Sequence, residues 1–395
     1  MKIGIVTHWN SLDNYGQLLQ CYALQTLLRS WGHDAYLIRY LPKEKLPTIW
    51  QRLRALILNP KKILHHLPFD TKRKRSVRYE QELRDTNQRN NPLRRFEQFR
   101  QENLQMTERI YESYKELHDN PPEADVYIAG SDQIWRPPIS SDSAAGWFLW
   151  FGDESVRRIS YAASMGEGIP TEELPLLKEL LSHFDAVSVR EESGNKVCRD
   201  LGIESQVCID PTMLLPMDSY KHIEVRPERN SPYAFIYVLN VRTAEDFYWP
   251  QIRTYLEEER LQVKSVTGSG YYRGRELIEN NKNLLLTIPE WLGYIEGANC
   301  VITTSFHGTV FALLMHRPFL VIRLQGKYCG ANTRMEHLLT KLGIPERIIN
   351  PNKSIREQME AIIDWERVDH RIEDLQQHSI EFLKNNIERK NWAIK

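Results

Sequence analysis

Apolar residues along this 395-residue chain fall into short compact runs separated by longer helical stripes. Residues 3–7 form one such run, Leu18, Leu19, Tyr22, Leu27 and Leu28 follow at helical spacing, and 35–40 is apolar again. Period and punctuation predict strand, helix and strand, with Gly32 ending the helix. The alternation resumes past residue 120, with strands predicted at 125–129, 158–162, 186–189 and 206–209 and helices at 174–184 and after Arg190. Pro216, Pro227 and Pro232 among charged residues mark a break. A second series follows: strands at 233–239, 263–266, 284–287, 301–304 and 319–322, with helices from Glu245, Glu290 and Asn332.

Strands alternating with helices in two blocks predict an α/β protein of two Rossmann-like domains built on mainly parallel sheets. The expected division is 1–215 for the first domain, 216–365 for the second and 366–395 for a helical tail. Ligands in such sheets bind beyond the carboxyl ends of the strands, and the polar corners Gly130-Ser131-Asp132 and Asp210-Pro211 each lie at one of those ends. Residues 42–116 interrupt the first domain as an expected helical insertion. Within it Ile49, Trp50, Leu53, Leu56 and Ile57 share a face, with Arg52, Arg54, Lys61 and Lys62 off it. The stripe fits a helix docked on its own domain with a solvated basic side. It also fits a peripheral contact with an anionic membrane through 42–100.

Charge sharpens that picture only locally. The chain carries 52 basic and 52 acidic residues, but residues 41–100 hold 16 Lys or Arg against 6 Asp or Glu. Five scattered cysteines without a C-x-x-C pair favour a reduced, cytoplasmic setting over a disulfide scaffold or zinc knuckle. The chain opens on a strand rather than a signal peptide, and no run approaches the ~20 apolar residues of a membrane span. The first loop, His8-Trp9-Asn10-Ser11-Leu12-Asp13-Asn14-Tyr15-Gly16, lacks G-x-G-x-x-G, so dinucleotide binding is unsupported.

Residues 299–323 carry the most chemistry. They read as a buried strand, a polar corner with His307, a short helix and a second buried strand. An imidazole where a helix begins sits beside free backbone N–H groups that favour an anion. That combination suits movement of a phosphorylated or carboxylated group.

Four motifs occur in order: Asn14-Tyr15-Gly16-Gln17, Ala129-Gly130-Ser131-Asp132-Gln133-Ile134-Trp135, Ser188-Val189-Arg190-Glu191 and Ser305-Phe306-His307-Gly308. Together they resemble the polysaccharide pyruvyl transferase family over about 1–40 and 120–345. The resemblance implies a GT-B-like pair of Rossmann-type domains with the site in the cleft. It implies transfer of an enolpyruvate-derived group from phosphoenolpyruvate to a sugar, giving a pyruvate ketal on a cell-surface glycan or its precursor. Many relatives carry Asp before Ser-Phe-His-Gly, where this chain has Thr304. If that carboxylate orients or charges the histidine, its absence makes His307 the weaker acid.

That chemistry needs arginines for a phosphate and a carboxylate and a proton carrier for C3. By motif position His307 becomes the candidate acid–base. Its alternative is a helix-start histidine that only braces the corner. Arg190 is assigned to the donor, or else to an ion pair with Glu191 or Glu192. Asp132 assists proton transfer or caps its turn. Ser305 and Gly308 belong to the donor side of the same corner, and Arg323 and Arg334 are rival second anchors. Asn14 and Gly16 are candidate acceptor contacts, with a loop-and-cap role as the alternative. His8 and Trp9 line the same rim, where stacking on a sugar competes with simple packing. No cofactor is required. Neither a metal nor nucleic acid is favoured, because ligand spacing and recognised binding motifs are both missing. Two other readings fit the architecture: a nucleotide-sugar glycosyltransferase, with Arg323 and Arg334 on a diphosphate, and a non-catalytic partner in a glycan pathway.

Overall fold

A computed structural model describes residues 1–43, 85, 88–141, 143–166, 168–228, 231–241, 243–268, 278 and 283–388. Within them the two apolar series form two sheets, and every pairing is parallel. The first runs β3-β2-β1-β4-β5, with β1 (Lys2–Val6) central among β2 (Asp34–Tyr40), β3 (Met106–Tyr111), β4 (Val126–Ala129) and β5 (Arg157–Ser160). Bridges from Ile159 to Ala186 and from Ala163 to Val189 carry it on to the short pair β6 (Ser188–Val189) and β7 (Gln206–Val207). The second sheet runs β11-β10-β8-β9, from β8 (Tyr233–Val238), β9 (Gln262–Thr267), β10 (Cys300–Thr303) and β11 (Phe319–Val321). The fold is therefore α/β with two Rossmann-like halves. Strands β4, β8, β10 and β11 read as unbroken apolar runs because every residue in them is buried.

Strand order reverses between β1 and β4 in one sheet and between β8 and β10 in the other. Crevices at such points are where ligands bind. Here the two reversals meet. Helix α1 (Tyr15–Ser30) starts beyond β1, capped by the Asn14 side chain, which accepts from the Gln17 N–H. Tyr15, fully buried, stacks on Trp291 of the second half at 5.4 Å and donates its hydroxyl to the Leu286 carbonyl at 2.8 Å. A single apolar core thus runs through both halves.

Three further helices fix the site's borders. Helix α2 (Phe96–Asn103) sends the buried Arg100 to the Ser11 carbonyl at 2.7 Å, holding the loop after β1. Helix α3 (Glu192–Asp200) follows β6, and α4 (Ile288–Glu296) opens on a capping box of Thr287 and Glu290. The last described helix, Trp365–Ile387, comes back to the first half, where Ser379 meets Ile209.

Two expectations are corrected. Residues 106–111, placed in a helical insertion, are strand β3 at the sheet edge. Its middle residues are exposed, so no buried periodicity announces it. Residues 284–287 make no strand, although the Leu284 N–H reaches the Ser265 carbonyl at 2.8 Å. Thr287 is already the cap of α4, which leaves no length for a ladder. The amphipathic face of Ile49, Trp50, Leu53, Leu56 and Ile57 lies outside the described residues.

Arg158, buried on β5, donates to the carbonyls of Leu149, Phe151, Gly152, Asp153 and Val156. Replacing it by methionine keeps the bulk and strands those acceptors. Urea unfolding of Arg158→Met should show a loss of about 3 kcal/mol or more. A loss below about 0.5 kcal/mol would mean that other contacts hold the loop.

Candidate active site

The corner after β10 is built by local chemistry. Ser305 caps α5 (Phe306–Leu314), accepting from the Gly308 N–H at 3.3 Å. A β-carbon at Gly308 would lie 2.4 Å from Thr303 Oγ1, so only glycine lets the helix sit this close to its strand. Ser305 and Gly308 thus make the turn that presents His307.

His307 is 5% exposed and points across the seam. Gly16 packs against the ring, where a β-carbon would lie 2.0 Å from Nδ1 and 2.1 Å from Cγ. Nε2 lies 3.5 Å from Asp210 Oδ2 and has no hydrogen-bond partner. Asp210, fully buried, accepts Arg190 Nη1 at 2.8 Å on the same oxygen and binds the Thr212 N–H and hydroxyl through Oδ1 at 3.1 and 2.8 Å. Arg190 also lies 3.6 Å from Asp132 and 3.7 Å from Glu191. Gln17 Nε2 donates to Asp132 at 2.9 Å, and Ser164 donates to Glu191 at 2.5 Å.

Arg190 sits over the Phe306 ring at 5.0 Å and Arg334, from α6 (Asn332–Lys341), at 5.7 Å. Nε and Nη2 of Arg190 and Nε of Arg334 are buried without a hydrogen-bond partner. A small pocket opens beside them, lined among others by Phe306, His337 and Lys341.

The field follows from these distances. Burial pushes the Asp132 carboxyl up, but Arg190, His8, His307 and Arg334 outweigh it and hold it at about 2. At Asp210 burial is likewise overcome, here by His307 and Arg190, and its pKa falls far below the carboxylate range. Arg190 is raised, because its three carboxylates overcome desolvation. Burial, with Arg190 alongside, pushes Arg334 down to about 10. Two like charges held together with free N–H groups form a place for an anion.

The structure gathers His307, Asp132, Arg190, Arg334 and Gly16. Arg323 is not part of this cluster: it is exposed and its Nε is bound to Glu336 at 2.7 Å. Asn14 is spent as the cap of α1. His8 stands half-buried at the rim, its ring 5.0 Å from Trp147. Trp9 is buried and donates Nε1 to the Tyr40 carbonyl at 3.1 Å, so it packs rather than faces a sugar. Thr304 is tied to the Leu239 backbone at 2.7 and 3.0 Å and does not serve His307. Sequence reasoning left Asp210, Gln17, Ser131, Thr212 and Phe306 unassigned, while Glu191 was the alternative ion-pair partner of Arg190 and lies 3.7 Å from it. The available signal was position: Asp210-Pro211 is also a polar corner beyond a strand. Among the described residues no three His, Cys, Asp or Glu side chains gather as a metal site, and no helix is long and apolar enough to cross a membrane.

Two Rossmann-like halves thus face each other with arginines and an imidazole at their seam. The model of the polysaccharide pyruvyl transferase family matches residues 14–325, and the chain belongs to that family. No curated protein sequence matches it. Among solved structures it is similar to one described as a UDP-N-acetylglucosamine 2-epimerase from Listeria monocytogenes, with 11% identity, TM-score 0.47 and coverage of 99% of this chain and 97% of that one. The Rickettsia bellii UDP-N-acetylglucosamine 2-epimerase gives 10%, 0.44, and 98% and 99%. The calicheamicin glycosyltransferase CalG4 gives 14%, 0.43, and 98% and 97%.

Two outcomes follow from this geometry. Asp132 has a folded-state value of about 2, below its unfolded value near 4, so it stabilises the fold above pH ~4. That contribution fades as pH falls toward about 2. Unfolding of Asp132→Asn should therefore have an acid limb shallower by up to about 1.4 kcal/mol per pH unit; an unchanged limb would refute the pairing. Gly16→Ala should cost roughly 1–3 kcal/mol by overpacking, and much less in a His307→Gly background. Equal cost in both backgrounds would place the clash elsewhere.

Proposed function

We propose that this chain transfers a pyruvyl group from phosphoenolpyruvate to a pair of sugar hydroxyls on a polysaccharide or its precursor, forming a cyclic ketal and releasing phosphate. One observation carries the reading: buried guanidinium N–H groups of Arg190 and Arg334 lack hydrogen-bond partners beside His307. Unpaired buried donors cost free energy, and an anion removes that cost.

In this reading Arg190 and Arg334 hold the donor's phosphate and carboxylate. His307 delivers a proton to C3 while a sugar hydroxyl attacks C2. The C2–O bond to phosphate then breaks, and the second hydroxyl closes on C2. One hydroxyl proton is accounted for at C3 and the other leaves with phosphate. Asp132, ionised and held by Gln17, orients an incoming hydroxyl, and His8 with Trp147 borders the acceptor side. The donor needs no nucleotide.

Thermal shift tests the donor. Phosphoenolpyruvate at a hundred times its Kd should stabilise the protein by ~2.7 kcal/mol, with UDP and GDP without effect. Arg190→Ala should lose the shift. His307→Ala should keep it while turnover, followed as phosphate release, falls by ~10²–10⁴-fold. Stabilisation by UDP or GDP instead would make the protein a nucleotide-sugar glycosyltransferase. A phosphoenolpyruvate shift undiminished in Arg190→Ala would remove that residue from the donor site.

A further inference from the structure

Asp210 has both oxygens committed. Thr212 grips Oδ1 through its N–H and its hydroxyl, at 3.1 and 2.8 Å. Oδ2 faces Arg190 Nη1 at 2.8 Å, and His307 Nε2 and Ser131 Oγ each at 3.5 Å. The proposed proton carrier and the proposed donor anchor therefore hang on one oxygen atom of one immobile carboxylate. Each is delivered by a different element: His307 by α5, Arg190 by the end of β6, and Asp210 by the turn after β7.

A neutral imidazole carries its proton on one nitrogen, and the hydrogen bond made by the other nitrogen decides which. Nε2 here is buried, has no hydrogen-bond partner and has this carboxylate as its nearest charged acceptor. A lone pair on Nε2 would face a second lone pair on Oδ2. A proton on Nε2 faces a charge that attracts it. Asp210 stays ionised because His307 and Arg190 outweigh the burial that opposes its charge. Separations of 3.5 Å in an unliganded site are of the kind that tighten when substrate arrives.

We propose that Asp210 is a positioning residue that holds His307 with its proton on Nε2, which leaves Nδ1 as the atom that takes up and releases the transferred proton. The transfer step rests on the transferase reading, whereas the tautomer does not. It also explains how the site works with Thr304 in front of its Ser-Phe-His-Gly corner. The carboxylate comes from another strand end, while Thr304 is occupied with the Leu239 backbone.

The test reads the tautomer and the turnover separately. Imidazole nitrogens are observed in ¹⁵N-histidine-labelled full-length protein, with His307 assigned by its loss in His307→Ala. Wild type should show the neutral ring protonated on Nε2. Asp210→Asn should lose that preference, because an amide can donate to Nε2 as readily as accept from it, and kcat should fall by ~10²–10⁴-fold. Thr212→Val keeps the charge and the N–H but releases Oδ1 from the hydroxyl. It should give a mixed tautomer and a loss on the order of tenfold in kcat, and it carries the test if Asp210→Asn does not fold. An Nε2-protonated ring and near-normal kcat in both variants would overturn the role of Asp210. A tautomer change in a protein that turns over no phosphoenolpyruvate would uphold Asp210 and overturn the transferase reading instead.

Discussion

Charge buried at the seam between two domains is the constraint on which this molecule turns. Asp132, Glu191 and Asp210 meet Arg190 and Arg334 around His307, with Asp132, Arg190, Glu191, Asp210 and His307 all buried. Ions removed from water cost several kcal/mol each unless geometry and hydrogen bonds compensate. Thr212, Gln17 and Ser164 each supply donors to one of the carboxylates. Compensation is incomplete on both sides, because Glu191 Oε2, Nε and Nη2 of Arg190 and Nε of Arg334 have no hydrogen-bond partner.

Holding that cluster requires the halves to stay in register. One turn of α1 does much of it: Asn14 caps, Tyr15 fills the second half's aromatic core, and Gly16 lies against the imidazole. The far side is tied by α7 (Trp365–Ile387). Its Ser379 accepts from the Ile209 N–H at 3.1 Å, and its Asp369 pairs with His316 at 2.9 Å. Ile209 directly precedes Asp210, so a helix from the end of the chain braces the residue that the cluster shares.

Much of the architecture was legible because buried parallel strands leave a strong local mark. Unbroken apolar runs such as Val301-Ile302-Thr303 and Phe235-Ile236-Tyr237 can hardly be anything else between helical stripes. Edge strand β3 was not legible, since its outward Glu108, Arg109 and Ile110 carry no burial pattern. For a related reason sequence could not choose between the alternatives at Trp9 and Arg323. A residue's distance from a strand end along the chain does not say which way its side chain turns, and one went into the core while the other went to a surface glutamate.

Local chemistry belongs to the sequence alone: most of the strands, the cap at Asn14, the family motifs, and polar corners at strand ends. These depend on interactions across a few residues, which composition and spacing encode. Which corners would meet was decided by tertiary structure. Asp210 looked like one more turn residue until parallel pairing brought the end of β7 beside that of β6, and domain packing brought His307 against both. A carboxylate's meaning comes from the charges within a few ångströms of it. In a chain folded into two sheets those neighbours come from four separate stretches of sequence.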